Sequence, residues 1–133
     1  MPSCNGMSHI ALTVSDIDRS VQWYESVFGG TRFMEMKEED FSLAMLMTPG
    51  GVLLSLHAYP NSPDGDRFSE FRIGLDHLSF CCETRADVVE WAERLEELGV
   101  EHSPVADAPY GHVLVFRDPD NIQLEFMAPL SGA

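Results

Sequence analysis

One internal repeat constrains this chain more than any other feature of its sequence. Sliding the sequence by 68 residues places His9 on His77, Val21 on Val89, Trp23 on Trp91 and Glu25 on Glu93. Each copy opens on an alternating strand and runs into a capped amphipathic helix. In the first copy residues 7–14 alternate, Ser15 or Asp16 can cap, and Ile17, Val21, Tyr24 and Phe28 recur at helical spacing before Gly29-Gly30. In the second, residues 75–82 form the strand, Thr84 the cap, and Val88, Trp91, Leu95 and Leu98 the buried stripe, ended by Gly99. Three extended segments follow each helix, at 31–36, 41–47 and 52–57 and then at 101–105, 112–116 and 122–127. Beyond the helices a shift of 70 pairs Pro49 with Pro119, Leu54 with Leu124 and Ala58 with Ala128. Thr48-Pro49-Gly50-Gly51 and Asp118-Pro119-Asp120-Asn121 are thus expected to be equivalent hairpin turns.

The reading is an α+β chain of two βαβββ modules, 7–60 and 74–129, joined by a linker at 61–73 rich in Pro, Asp and Gly. With 133 residues, 1–133 is expected to be a single domain. A lone module would leave one face of its sheet bare, so the modules are expected to pair, within the chain or by exchange with another copy, around a cleft. A formal net charge of −14 repels phosphate backbones and anionic lipid, which argues against nucleic acid and membrane partners. The N-terminal residues lack the basic and apolar run of a signal peptide, and no stretch is long enough to span a bilayer, so a cytoplasmic location is expected. Three cysteines, with Cys81 and Cys82 pointing to opposite faces of a strand, do not make a disulfide framework and read as buried thiols.

The polar residues fall at informative places in this scaffold. His9 and His77 each sit third in their strands, and Glu125 lies in the last strand, where its repeat equivalent is Ser55. Two imidazoles and a carboxylate suit Zn, Fe(II), Mn, Ni or Co with open positions for substrate or water. As isolated residues they would read as hydrogen-bonded core histidines and a strand carboxylate, and a repeat can preserve packing as readily as chemistry. His57, two residues past Ser55 and on its face, is a candidate fourth donor alongside Ser55 itself. Met45 and Met47 would suit an adaptable pocket. Tyr110 and His112 flank a glycine at a loop-to-strand junction from which their rings could reach a ligand. There is no GxGxxG, P-loop, CxxC or GxSxG motif, which disfavours covalent catalysis.

The segments 8–16, Trp23-Tyr24, 75–78 and 116–125, the last reading Phe-Arg-Asp-Pro-Asp-Asn-Ile-Gln-Leu-Glu, resemble the vicinal oxygen chelate superfamily. That family includes glyoxalase I, extradiol dioxygenases, fosfomycin-resistance enzymes and bleomycin-binding proteins. The resemblance covers nearly the whole chain. It implies a cupped, partly open mixed-sheet barrel (the glyoxalase/bleomycin resistance/dioxygenase fold), a homodimer, and a divalent metal held by His9, His77 and Glu125. Read together with the residues above, the expected substrate is a small molecule that chelates the metal through adjacent oxygens, with Glu125 anchoring the metal, His57 or Tyr110 moving a proton or orienting the ligand, Glu125 and His57 as the catalytic candidates, and His57, Met45, Met47, Tyr110 and His112 as the candidate substrate-site residues. Ser55 stands where glyoxalase-like members carry an acidic or amide ligand, which argues against glyoxalase I activity in the strict sense. The reaction type, whether lyase, isomerase or dioxygenase, stays open. The rival expectation is a non-catalytic protein that sequesters an antibiotic or natural product in the same cup.

Overall fold

The computed structural model describes residues 1–130, and the last three residues of the expected 1–133 domain lie outside the described residues. The chain divides into two compact units, Met1–Asp64 and Gly65–Ala133, each holding one copy of the repeat. The first contains β1 (Ile10–Thr13), α1 (Ile17–Phe28), β2 (Thr31–Lys37), β3 (Ser42–Met47) and β4 (Leu53–Ala58), in sheet order β1-β4-β3-β2. The second contains β5 (Leu78–Cys81), α2 (Arg85–Glu97), β6 (Ala106–Ala108), β7 (Gly111–Arg117) and β8 (Gln123–Ala128), ordered β5-β8-β7-β6. In each, the first and last strands pair in parallel and the rest pair antiparallel. Both sheets are therefore mixed and four-stranded, and they do not close into a barrel. The registers repeat as well: Ile10 lies opposite Leu54 as Leu78 lies opposite Leu124.

Local chemistry explains the elements. Asp16 caps α1 by accepting from the Arg19 N–H, and Gly29 closes the helix in the left-handed conformation, φ 66°. Thr84 and Asp87 form a capping box on α2, and the Thr84 hydroxyl holds the Asp87 carboxyl below its ordinary range. The two hairpin turns repeat bond for bond. Thr48 N–H donates to Val52 O and Gly51 N–H to Thr48 O, as Asp118 N–H donates to Ile122 O and Asn121 N–H to Asp118 O. Gly51 and Asn121 take positive φ, 82° and 68°, at matching positions, the second being asparagine because its short side chain tolerates that region. The Asp118 carboxylate also accepts from the Asp120 and Ile122 N–H groups, which fixes the entry into β8.

Beneath α1 lie Leu12, Leu46, Leu54 and Leu56, with Tyr24 1% and Phe28 5% exposed on the helix. Beneath α2 the equivalent strand positions carry Phe80, Phe116, Leu124 and Phe126, and Trp91 stacks on Phe126 at 4.2 Å with 13° between the rings.

Several expectations are corrected. β1 begins at Ile10 and β5 at Leu78, so His9 and His77 stand immediately before their strands and not third within them. No strand spans 101–105: His102 makes a single bridge to Phe116 and Ser103 N–H donates to Val115 O, but Pro104 has no N–H, and the ladder resumes only at Ala106. Leu98 caps α2 and is 42% exposed, so it lies outside the buried stripe. Cys4 and Cys81 are exposed and Cys82 is half-buried, where burial pushes its thiol up to about 11. Among the described residues no helix is long and apolar enough to cross a membrane.

Candidate metal centre

Alternation along the strands sorts side chains onto two faces of each sheet. In the second unit, register places Phe116 with Leu124, Leu114 with Phe126 and His112 with Ala128 on the face under α2. Val115 with Glu125, Val113 with Met127 and Arg117 with Gln123 then lie on the other face, joined from β5 by Ser79 and Cys81. His77 directly precedes that strand, one residue before Leu78, the register partner of Leu124.

Glu125 is the focus of this face. Its side chain is 12% exposed, Ser79 Oγ donates to Oε1 at 2.8 Å, and Oε2 stands 3.9 Å from His77 Nε2. That gap is too long for a hydrogen bond, yet it is below twice the ~2.0–2.2 Å bond of a divalent ion to nitrogen or oxygen. The other nitrogen of His77 is occupied: the Asp76 carboxylate accepts from Nδ1–H at 2.7 Å. A metal-bound imidazole ordinarily carries such an outer carboxylate partner. The donor set and its surroundings thus fit a divalent ion.

The first unit repeats the framework with different chemistry. Ser55 occupies the place of Glu125 and Ala11 that of Ser79, in the same register. His9 is exposed, and its Nδ1 is hydrogen-bonded to Ser8 Oγ at 2.9 Å, so here too the preceding residue occupies Nδ1. Ser55 is 2% exposed and bonds His57 Nε2 at 2.8 Å, and the His57 ring lies 6.3 Å from that of Tyr59. Met45 is the register partner of Ser55 and Met47 that of Leu53, so both methionines share the face of Ser55 and His57. A bulge in β2 between Arg32 and Met34 brings Met34 opposite Met45 and Met36 opposite Leu43, adding two methionines to that face.

Two expected site residues lie elsewhere. His112 is on the helix-covered face of β7, opposite in sense to Glu125, because it shares the parity of Leu114 and Phe116. There it bonds Asp107 Oδ1 at 2.6 Å, and Asp107 also accepts from Arg85. Tyr110 is 67% exposed at the β6–β7 turn. It lies five residues from Val115, the register partner of Glu125, which is roughly 16 Å along an extended strand. Gly111 beside it is required, since a Cβ there would come within 2.6 Å of Ala128 O. His77 and Glu125 are brought together as a pair. Among the described residues no group of three or more His, Cys, Asp or Glu side chains stands at metal-holding distances. Asp76 and Ser79 escaped the sequence reading, although adjacency to His77 and register with Glu125 were available signals.

The fold defines a class, a chain of two βαβββ modules whose first strands each follow a histidine. The model of the Glyoxalase/Bleomycin resistance protein/Dioxygenase superfamily matches residues 6–126, and the chain belongs to that superfamily. It is 32% identical over 124 residues to the metallothiol transferase FosB of Shouchella clausii (strain KSM-K16), covering 91% of this chain and 78% of the relative. The crystal structure of a glyoxylase/bleomycin resistance protein/dioxygenase domain from Frankia sp. EAN1pec superposes with a TM-score of 0.89 at 37% identity, covering 98% of this chain and 96% of that one. The fosfomycin resistance protein FosX of Listeria monocytogenes, in complex with Mn(II) and sulfate, shares the fold with a TM-score of 0.73 at 23% identity, covering 97% and 96% of the two chains.

Proposed function

We propose that the protein is a divalent-metal-dependent enzyme acting on a small molecule that binds the metal through adjacent oxygens. The ligands would be His77, Glu125 and His9, the last supplied by a module pairing within one chain or between two copies. What carries this reading is Glu125, which is largely buried, has one oxygen held by Ser79, and turns the other to His77 Nε2. An acid withdrawn from water without a cation beside it is costly, and a divalent ion would offset that cost.

When bound, the ion supplies Lewis-acid stabilisation of negative charge developing on a substrate oxygen. The chain's own residues do the rest. Ser79 orients Glu125, Asp76 orients His77, and His57, bonded to Ser55, can hold a proton at Nδ1 or Nε2 for exchange with a bound molecule. Met45 and Met47 offer adaptable apolar contact. Arg117 is the one cation carried by the strands on these faces among the described residues, and Glu70 already pairs with it at 2.7 Å. The likeness to a metallothiol transferase makes nucleophile transfer the first reaction to test and fosfomycin the first substrate, with Mn(II) the first ion. Sequestration without catalysis gives no role to the Glu125–His77 pair.

The test is isothermal titration of Mn(II) into wild type and Glu125→Gln, followed by turnover assays with fosfomycin and a thiol, and with catechols and thioesters. Loss of affinity on the order of 100-fold or more in the variant is expected. Equal Mn(II) affinity in the two proteins would overturn the assignment of the site.

A further inference from the structure

We propose that Asp76, at the end of the segment joining the two repeats, sets the tautomer of His77, and so the nitrogen it can offer a metal, and is held in place to do so by a chain of hydrogen bonds from Arg117. This rests on the metal reading for its purpose but not for its geometry. The segment 65–76 is fastened to the second unit: Phe68 N–H donates to Asp120 O, Asn121 Nδ2 donates to Phe68 O, and both Glu70 oxygens accept from Arg117. Arg117 Nη2 then donates to Gln123 Oε1 at 2.9 Å. Gln123 Nε2 donates to Asp76 Oδ1 at 3.1 Å and to Asp76 O at 3.3 Å. Asp76 Oδ1 in turn lies 2.7 Å from His77 Nδ1.

Each link leaves the next no choice. A guanidinium only donates, so the amide of Gln123 must turn its oxygen to Arg117 and its NH₂ to Asp76. An ionised carboxylate only accepts, so His77 must carry its proton on Nδ1. The lone pair is then on Nε2, the nitrogen that faces Glu125. Glu70 holds the head of the chain in place, and its paired carboxyl stays below the ordinary carboxylate range because Arg117 donates to it. Asp76 and Gln123 are positioning residues. They act on the site through His77 and touch neither metal nor substrate in this account.

The test uses the full-length protein and three variants, Asp76→Ala, Asp76→Asn and Gln123→Glu. The first readout is long-range ¹H–¹⁵N correlation of the His77 ring in metal-free protein, at a pH about two units above the ordinary imidazole range. Wild type should show a single Nδ1–H tautomer. Asp76→Asn should keep it, since the amide oxygen still accepts, while Asp76→Ala should give a mixture. Gln123→Glu, nearly isosteric, sets a second acceptor against Asp76 and should also disturb the tautomer while thermal unfolding confirms a folded protein. A persistent single Nδ1–H form in Asp76→Ala and Gln123→Glu would overturn the proposal, as would an Nε2–H form in wild type. The second readout is Mn(II) affinity, expected to fall on the order of 10- to 100-fold in Asp76→Ala and far less in Asp76→Asn. Should wild type bind no Mn(II), the metal reading fails while the tautomer measurement still decides this one.

Discussion

In the first unit the buried rings between helix and sheet, Tyr24 and Phe28, hang from the helix, above leucines at 12, 46 and 56. In the second unit the helix position equivalent to Tyr24 is Ala92, and the three strand positions carry Phe80, Phe116 and Phe126. Part of the ring bulk has moved from the helix to the sheet, while Trp91 still hangs from α2 and stacks on Phe126. What the two modules share is their turns and strand register together with capped helix starts, and cores tolerate such exchanges when volume and pattern are kept. The same comparison applies to the polar face, where Ser79 and Glu125 stand in the places of Ala11 and Ser55. One backbone thus supports a candidate metal ligand in one copy and a neutral hydroxyl in the other.

The largest effect follows from the exchanged bulk. Tyr24→Ala gives the first helix the residue of the second and should cost about 3–5 kcal/mol in urea unfolding, as for other buried rings truncated to alanine. Supplying a ring from the sheet with Leu56→Phe in the same chain should restore at least about 1 kcal/mol, although Leu56→Phe alone should destabilise by overpacking. If the two changes simply add, the layers do not compensate and the comparison breaks.

A smaller effect concerns one position where the units disagree without an evident reason. Ser20 is fully buried and its hydroxyl has no hydrogen-bond partner, whereas the equivalent residue of the second helix, Val88, is buried and apolar. An unsatisfied buried hydroxyl is unfavourable, so Ser20→Val should raise stability by about 1 kcal/mol, measured as a higher urea midpoint at unchanged slope. A loss of stability instead would mean that the hydroxyl is satisfied in solution.

These contrasts also show what the sequence made legible. The two helices and their caps were readable because Asp16 and Thr84 precede residues of helical periodicity, and the turns because Gly51 and Asn121 both suit positive φ. Pro104 was the signal missed in placing a strand at 101–105, since a residue without an N–H interrupts a ladder. His112 was misplaced because its nearness to a loop was weighed above strand parity, although Leu114 and Phe116 share its parity and are buried. The Glu125–His77 pair could be suggested by repeat position but not its distance. The relay from Glu70 to Asp76 depends on where a connecting segment folds back, and no periodicity encodes that.

The smallest effect concerns how each edge strand is tied to its helix, where the two units use opposite charge. Lys37 of β2 lies 3.6 Å from Asp18 of α1, with side chains 62% and 72% exposed. At the equivalent strand position Asp107 of β6 accepts from Arg85 of α2 at 2.9 Å and 3.3 Å and also bonds His112. Arg85, and then His112, lower the Asp107 carboxyl from 3.8 to about 2. A carboxyl depressed in the folded state stabilises fully above its ordinary range, and that contribution fades as pH falls through the folded value. Asp107→Asn should therefore lower the melting temperature by a small amount at neutral pH, with the deficit shrinking between about pH 4 and pH 2. Asp18→Asn should shift it hardly at all, since an exposed, loosely held pair contributes little. A deficit in Asp107→Asn that persists undiminished at pH ~2 would assign the tie to the shape of the side chain and not its charge. The contrast between the two edges would then be one of packing alone.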